Sequence, residues 1–252
     1  MKKIRLIARL DIKDAYVVKG IQMEGVRRVG LPNDLARTYY EAGIDEILYV
    51  DNVASLYNRN GLEEILYETT KHIFIPVTVG GGIRTIEDAR LLLSKGADKV
   101  AVNTAAIKDE RIISEIAGTF GSQCMVLSVQ AKRRASGGWE AFYDNGREHS
   151  GKDVLEWVCR GVELGAGEIL VTSVDFDGRM NGMDIELFRR ISQMVNVPVI
   201  ACGGVSGAED VMRAAEAGVS AVALGSLLHF HKASVEELKR DVLRAGGNLR
   251  SI

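Results

Sequence analysis

No apolar run in the sequence is long enough to span a bilayer, and the apolar stretch nearest the N-terminus, MKKIRLIARLD, is broken by Arg5 and Arg9. A secretory leader or anchor needs an uninterrupted apolar segment, so this one reads as a buried first strand and the chain as cytoplasmic, with no membrane partner. Cysteine is sparse: Cys124, Cys159 and Cys202 are scattered with no metal-ligand spacing. That argues against a disulfide framework and a zinc site, and no cofactor or metal is expected. An excess of one charge is missing too, since 32 Lys and Arg against 34 Asp and Glu leave a formal net charge of −2. So balanced a chain gives no reason to expect nucleic acid.

What the sequence does have is a repeat. Residues 75–104, IPVTVGGGIRTIEDARLLLSKGADKVAVNT, read as strand, glycine turn, helix and strand, and residues 197–226, VPVIACGGVSGAEDVMRAAEAGVSAVALGS, read the same way 122 positions on. The two agree at Pro76 and Pro198, Gly81 and Gly203, Gly82 and Gly204, Asp88 and Asp210, and Gly96 and Gly218. Glycines at the end of a buried strand let backbone N–H groups approach a ligand closely, and an anion can sit there near a helix N-terminus. One such turn is often no more than a tight corner. Two of them half a chain apart point to two anion sites on one rim, and to a ligand with two phosphates. Thr85 with Asp88 resembles a capping box opening the helix, as Ser234 with Glu237 does for the last helix.

With 252 residues, 46% of them apolar, and strand and helix patterns alternating throughout, the chain is expected to form a single α/β domain over residues 1–252. Strands are read at 4–10, 46–51, 77–80, 99–103, 125–130 and 168–174, with two more in the second repeat. Helices are read at 33–42, 62–71, 109–120, 153–164, 184–194 and 234–245, besides those inside the repeats. Eight of each in two similar halves give a (β/α)8 TIM barrel with half-barrel duplication, whose chemistry belongs on the loops leaving the C-terminal ends of the strands. Asp11, Asp51, Gly80 to Gly82, Asn103, Gln130, Asp175, Asp177, Gly203, Gly204 and Ser226 all fall there. The basic, glycine-punctuated segment after Asp11 reads as a mobile loop over the site, and the WEAFY and DNG pieces after Gln130 as a β-hairpin turning at Asn145 and Gly146.

Alternation along the strands turns Arg5 and Arg9 inward with Asp11, and puts Lys99 below Asn103 and Glu168 below Thr172. Taken singly, Arg5, Glu46, Lys99 and Glu168 are solvated flanks of strand starts. Taken together, two of each sign, they allow a ring of alternating charge at the barrel's lower mouth, where mutual pairing offsets the cost of burial.

LDIKDAYVVKG, DEILYVD, IPVTVGGGI, GADKVAVNTAA, TFGSQ and GAGEILVTSVDFDG, spread over the whole chain, resemble the cyclase subunit of imidazole glycerol phosphate synthase, from histidine biosynthesis. The resemblance implies a barrel that binds a bis-phosphate ribulosyl formimino-carboxamide ribonucleotide at its top and a glutaminase subunit at its bottom, as a heterodimer, with ammonia passing between them. It implies one phosphate site at Gly81, Gly82, Asn103 and Thr104, and another around Asp177, Gly178, Gly203, Gly204, Gly225 and Ser226; Asp51 and Thr172 complete the substrate set. Lys19 matches the lysine of the first loop, the four ring charges match an ammonia gate, and Asp98 and Gln123 match the glutaminase interface. Asp11 matches the first of the family's two catalytic aspartates. At the second stands Gln130, which can hydrogen-bond a substrate hydroxyl but cannot exchange a proton at neutral pH. Arg9 replaces a small residue of the family below Asp11 and is expected to hold Asp11 ionised.

Two readings follow. One is an ordinary cyclase in which Asp11 carries the chemistry. The other is a paralogue that keeps the partner, the conduit and the phosphate sites but sends ammonia to another acceptor, as in sugar amidation for bacterial surface polysaccharide with a third protein, a sugar amidotransferase. The related ribonucleotide isomerase has no use for a charge ring. A non-catalytic scaffold that only activates the glutaminase is the remaining alternative.

Overall fold

A computed structural model describes residues 3–54 and 62–250. The first half runs β1 (Arg5–Lys13), β2 (Tyr16–Ile21), β3 (Glu24–Gly30), α1 (Pro32–Glu41), β4 (Glu46–Asp51), α2 (Glu63–Thr70), β5 (Val77–Gly80), α3 (Ile86–Ser94), β6 (Lys99–Val102), α4 (Thr104–Lys108) and α5 (Arg111–Phe120). The second runs β7 (Met125–Arg133), β8 (Trp139–Tyr143), β9 (Glu148–Asp153), α6 (Val154–Glu163), β10 (Glu168–Ser173), α7 (Ile185–Met194), β11 (Val199–Cys202), α8 (Ala208–Glu216), β12 (Ala221–Leu224), α9 (Ser226–His229) and α10 (Val235–Arg244). Eight strands pair in parallel in the order β1, β4, β5, β6, β7, β10, β11, β12, and β12 returns to β1. This closure is the (β/α)8 barrel that the alternation of strands and helices leads one to expect. Among the described residues no helix is long and apolar enough to cross a membrane.

Strands covered by helices outside and by the opposite wall inside must be apolar on both faces, and β4 and β10 are buried almost end to end. The helices supply the outer layer through stripes at helical spacing, such as Ile112, Ile113 and Ile116 on α5 or Val154, Trp157 and Val158 on α6. Inward residues form a second, smaller cluster across the barrel axis, built from Ile7, Leu48, Ala101, Val126, Leu170, Ile200, Ala221 and Ala223.

The duplication reaches down to single hydrogen bonds. Asp88 accepts from Arg84 N at 2.9 Å, and its counterpart Asp210 accepts from Ser206 N at 2.8 Å. Both expected capping boxes, Thr85 with Asp88 and Ser234 with Glu237, are present. The second repeat lacks one because Gly207 stands at its N-cap.

The segment after Asp11, expected as a mobile loop, is itself a hairpin, the first of two. β2 pairs antiparallel with the end of β1 and with β3, as β8 does with the end of β7 and with β9. Each half-barrel therefore carries a hairpin after its first strand. Glycines and charges hid the strand character of YVVKGI: Val17, Val18 and Lys19 are all buried, and Gln22 N donates to Asp177 O at 2.8 Å, fixing the hairpin to the far rim. The same pairing carries β7 three residues past Gln130, to Arg133. The expected turn between β8 and β9 is there, with Asp144, Asn145 and Gly146 all at positive φ.

Candidate active site

At the end where the barrel strands begin, Arg5 bonds Glu46 at 2.5 Å and also Glu168, while Lys99 reaches Glu46 at 3.2 Å and Glu168 at 2.8 Å. The four side chains thus close a ring of alternating charge, the geometry that strand alternation allowed. The two carboxylates are buried and each faces two cations, which offsets their desolvation. Asp98 and Gln123 lie on the same face, both exposed, with Asp98 Oδ2 accepting from Val77 N at 2.8 Å. Phe74, 78% exposed, lies at the same end of the barrel, at the approach to β5.

At the opposite end two chambers open. The first, about 160 Å³, is lined by Asp51, Gly81, Gly82, Asn103, Thr104, Lys108, Ser128, Gln130 and Asn145. Gly81 shows why glycine is needed there: its φ is +92°, and a Cβ would meet Asp51 O at 2.3 Å. The second, about 20 Å³, is lined by Arg9, Lys19, Asp177, Gly178, Gly203, Gly204, Gly225 and Ser226. Ser226 Oγ is buried there without a partner, as is Asn103 Oδ1 in the first chamber. The two groups of residues expected to hold phosphates are therefore each gathered, on opposite sides of one rim. Thr172 lies apart from both, beneath Arg9, whose Nη1 donates to its hydroxyl at 2.8 Å.

Between the chambers runs a buried chain of charges. Lys19 on β2 bonds Asp177 at 2.8 Å and Asp11 at 3.2 Å, and Arg9 Nε donates to Asp11 Oδ1 at 2.9 Å. Burial alone would raise the Asp11 carboxyl, but the Arg9 guanidinium and the Lys19 ammonium overcome that and hold it below the usual carboxylate range. Arg9 thus does keep Asp11 ionised. Lys19, whose alkyl stem lies near Gly225, lines the second chamber beside Ser226.

Gln130 lies at the first chamber with Oε1 accepting from Gly146 N at 2.7 Å, so it braces the turn of the second hairpin. Its amide N–H groups are left for a ligand. Sequence reading missed Ser128, Lys108 and Asn145 in this chamber and Cys202 under the other; only the inward phase of Ser128 on β7 could have signalled it. Among the described residues no three His, Cys, Asp or Glu side chains cluster as metal ligands.

Comparison with known proteins fits this geometry. The family described as "Histidine biosynthesis protein" matches residues 5–234. The imidazole glycerol phosphate synthase subunit HisF of Legionella pneumophila is 55% identical over 210 residues, covering 83% of this chain and 99% of that protein. Its namesakes in Prochlorococcus marinus and Streptococcus sanguinis are 47% and 43% identical over 97% and 99% of this chain, and 96% and 100% of their own lengths. With a match over nearly the whole barrel and identities at this level, the chain belongs to the histidine biosynthesis protein family, alongside the imidazole glycerol phosphate synthase subunits HisF.

Proposed function

We propose that this chain is the synthase subunit of a glutamine-dependent amidotransferase, taking ammonia from a glutaminase docked on the strand-start face and delivering it through the barrel to a phosphorylated acceptor at the rim. The observation that carries the reading is the closed ring of Arg5, Glu46, Lys99 and Glu168 at the barrel's mouth, where an apolar plug would serve stability as well as paired charges do. The relatives' name supports the family reaction, in which the bis-phosphate ribonucleotide is cyclised to imidazole glycerol phosphate with release of the aminoimidazole carboxamide ribotide. In that role Gly82, Asn103 and Thr104 hold one phosphate through backbone and side-chain donors, and Gly178, Gly204 and Ser226 hold the other beside Lys19. Lys19 and its hairpin, held to the far rim through Asp177, exclude water there.

A second reading has its own support. Asp11 is saturated by two cations and Gln130 cannot exchange a proton, so the acid–base pair for ring closure is incomplete. An ammonia-delivering paralogue with a different acceptor, such as a sugar of surface polysaccharide, needs neither. The sugar amidotransferase belongs to that reading alone, and none of the relatives named above is called one.

The test is to supply the purified chain with ammonium and the bis-phosphate ribonucleotide and follow both products. Turnover at ordinary enzymatic rates, a kcat near ~10 per second, selects the cyclase. Binding with turnover depressed by ~10² or more selects the paralogue; no binding of the bis-phosphate sinks both.

A further inference from the structure

The first chamber reaches deep into the barrel. Its floor is made by Ala101 and Leu170, which stand two residues above Lys99 and Glu168 of the ring on β6 and β10. Ser128, opposite Leu170 in the strand register, is half-exposed although Leu127 and Val129 on either side of it are buried, which marks the chamber's descent along β7. Ala101 and Leu170 belong to the inward apolar cluster, so the floor is itself the apolar layer next to the ring.

The other side of the barrel is filled. Arg9 reaches from β1 across to β10 and β11, bonding Asp11 at 2.9 Å, Thr172 at 2.8 Å and Cys202 Sγ at 3.3 Å. It forms the floor of the second chamber, and no residue lines both chambers.

We propose that ammonia passing the ring is delivered into the first chamber alone, past Ala101, Leu170 and Ser128 to Gln130, with Arg9 the positioning residue that keeps it out of the second. The proposal rests on the ring being an ammonia entrance. An apolar layer disfavours ammonium and passes neutral ammonia, and a guanidinium fixed by three hydrogen bonds both occupies the volume on its side and disfavours a second cation beside it. The acceptor atom that takes the nitrogen therefore lies beside Gln130 rather than over Asp11. Gly146 N–H already engages the Gln130 oxygen, so the amide N–H groups face the acceptor and fit an oxygen on it, a carbonyl or a hydroxyl.

The experiment uses the complex of this chain with its glutaminase, the bis-phosphate ribonucleotide as acceptor probe, glutamine labelled with nitrogen-15 at the amide, and unlabelled ammonium in the medium. Label in the product reports internal delivery, because outside ammonium enters from the open rim. Wild type should incorporate mostly label. Ser128→Leu, and the milder Ser128→Val, should lower the labelled fraction several-fold to tenfold with glutamine hydrolysis within threefold of wild type, while Ala223→Val on the second-chamber side should leave it unchanged. An unchanged fraction in both Ser128 variants, or an equal fall with Ala223→Val, overturns the routing while leaving the ring as entrance intact. Wild-type product that carries mainly unlabelled nitrogen overturns the entrance reading and the routing with it.

Discussion

Gln130 Oε1 accepts from Gly146 N–H; an aspartate in its place is one methylene shorter and adds a group able to exchange a proton. Arg9→Cys would release Asp11 from its closest cation and let its carboxyl rise toward the ordinary range. The double variant Gln130→Asp, Arg9→Cys is therefore expected to raise ring closure by ~10² to 10⁴ over wild type, measured with free ammonium so that no partner enters. Arg9→Cys alone should move the acid limb of the pH–rate profile to higher pH. A double variant no faster than wild type would show that the defect lies elsewhere. The Arg9–Asp11 pair was legible because two residues two apart on a strand share a face. Its continuation to Asp177 was not, since Lys19 and Asp177 are 158 positions apart and meet only when the hairpin closes on the far rim.

The short helix α9 is tied to two other elements through one side chain. His229 Nε2–H donates to Arg9 O on β1 at 2.9 Å, and Nδ1 accepts from the Tyr39 hydroxyl on α1 at 2.8 Å, the pattern of a neutral imidazole. Burial pushes its pKa down to about 4. The unfolded chain binds the proton near pH ~6.5, so this contribution is full above that value and is lost as pH falls toward 4. By pH ~5 the loss is on the order of 2 kcal/mol. Urea midpoints of wild type should accordingly fall more between pH 7 and 5 than those of His229→Gln; parallel slopes would mean that His229 titrates in the folded protein as it does unfolded. At this scale the sequence marked the capping boxes and the second hairpin, whose signals are local, and missed the first hairpin, whose strands look like a loop until Lys19 finds its buried partners.

For the molecule as a whole, the two ends of the barrel have different work. Phe74, Asp98 and Gln123 share the end that bears the ring, and a glutaminase seated there would cover all three. Asp98 also holds Val77 N–H, so replacing it mixes docking with folding. Phe74→Asp is the cleaner probe: it should weaken the partner's affinity about tenfold or more, as loss of an exposed aromatic anchor does, without shifting the thermal midpoint of the isolated chain. Titration calorimetry with the partner, beside a melt of each protein alone, separates the two effects. Unaltered affinity would move the interface off this face.

The sequence by itself determined the barrel, its two halves, the glycine turns and the substitutions at Arg9 and Gln130, because each is written in local pattern or in a repeat of it. Strand alternation even phased the ring, since a period of two residues carries a side chain's direction along a strand without further information. Only the tertiary structure decided that Lys19 meets Asp177 at the second chamber, that Gln130 is held by Gly146, and that Arg9 bridges β1 to Thr172 and Cys202. Those contacts join residues that closure of the barrel and folding of the two hairpins bring together, and a buried charge selects its partner by distance in space.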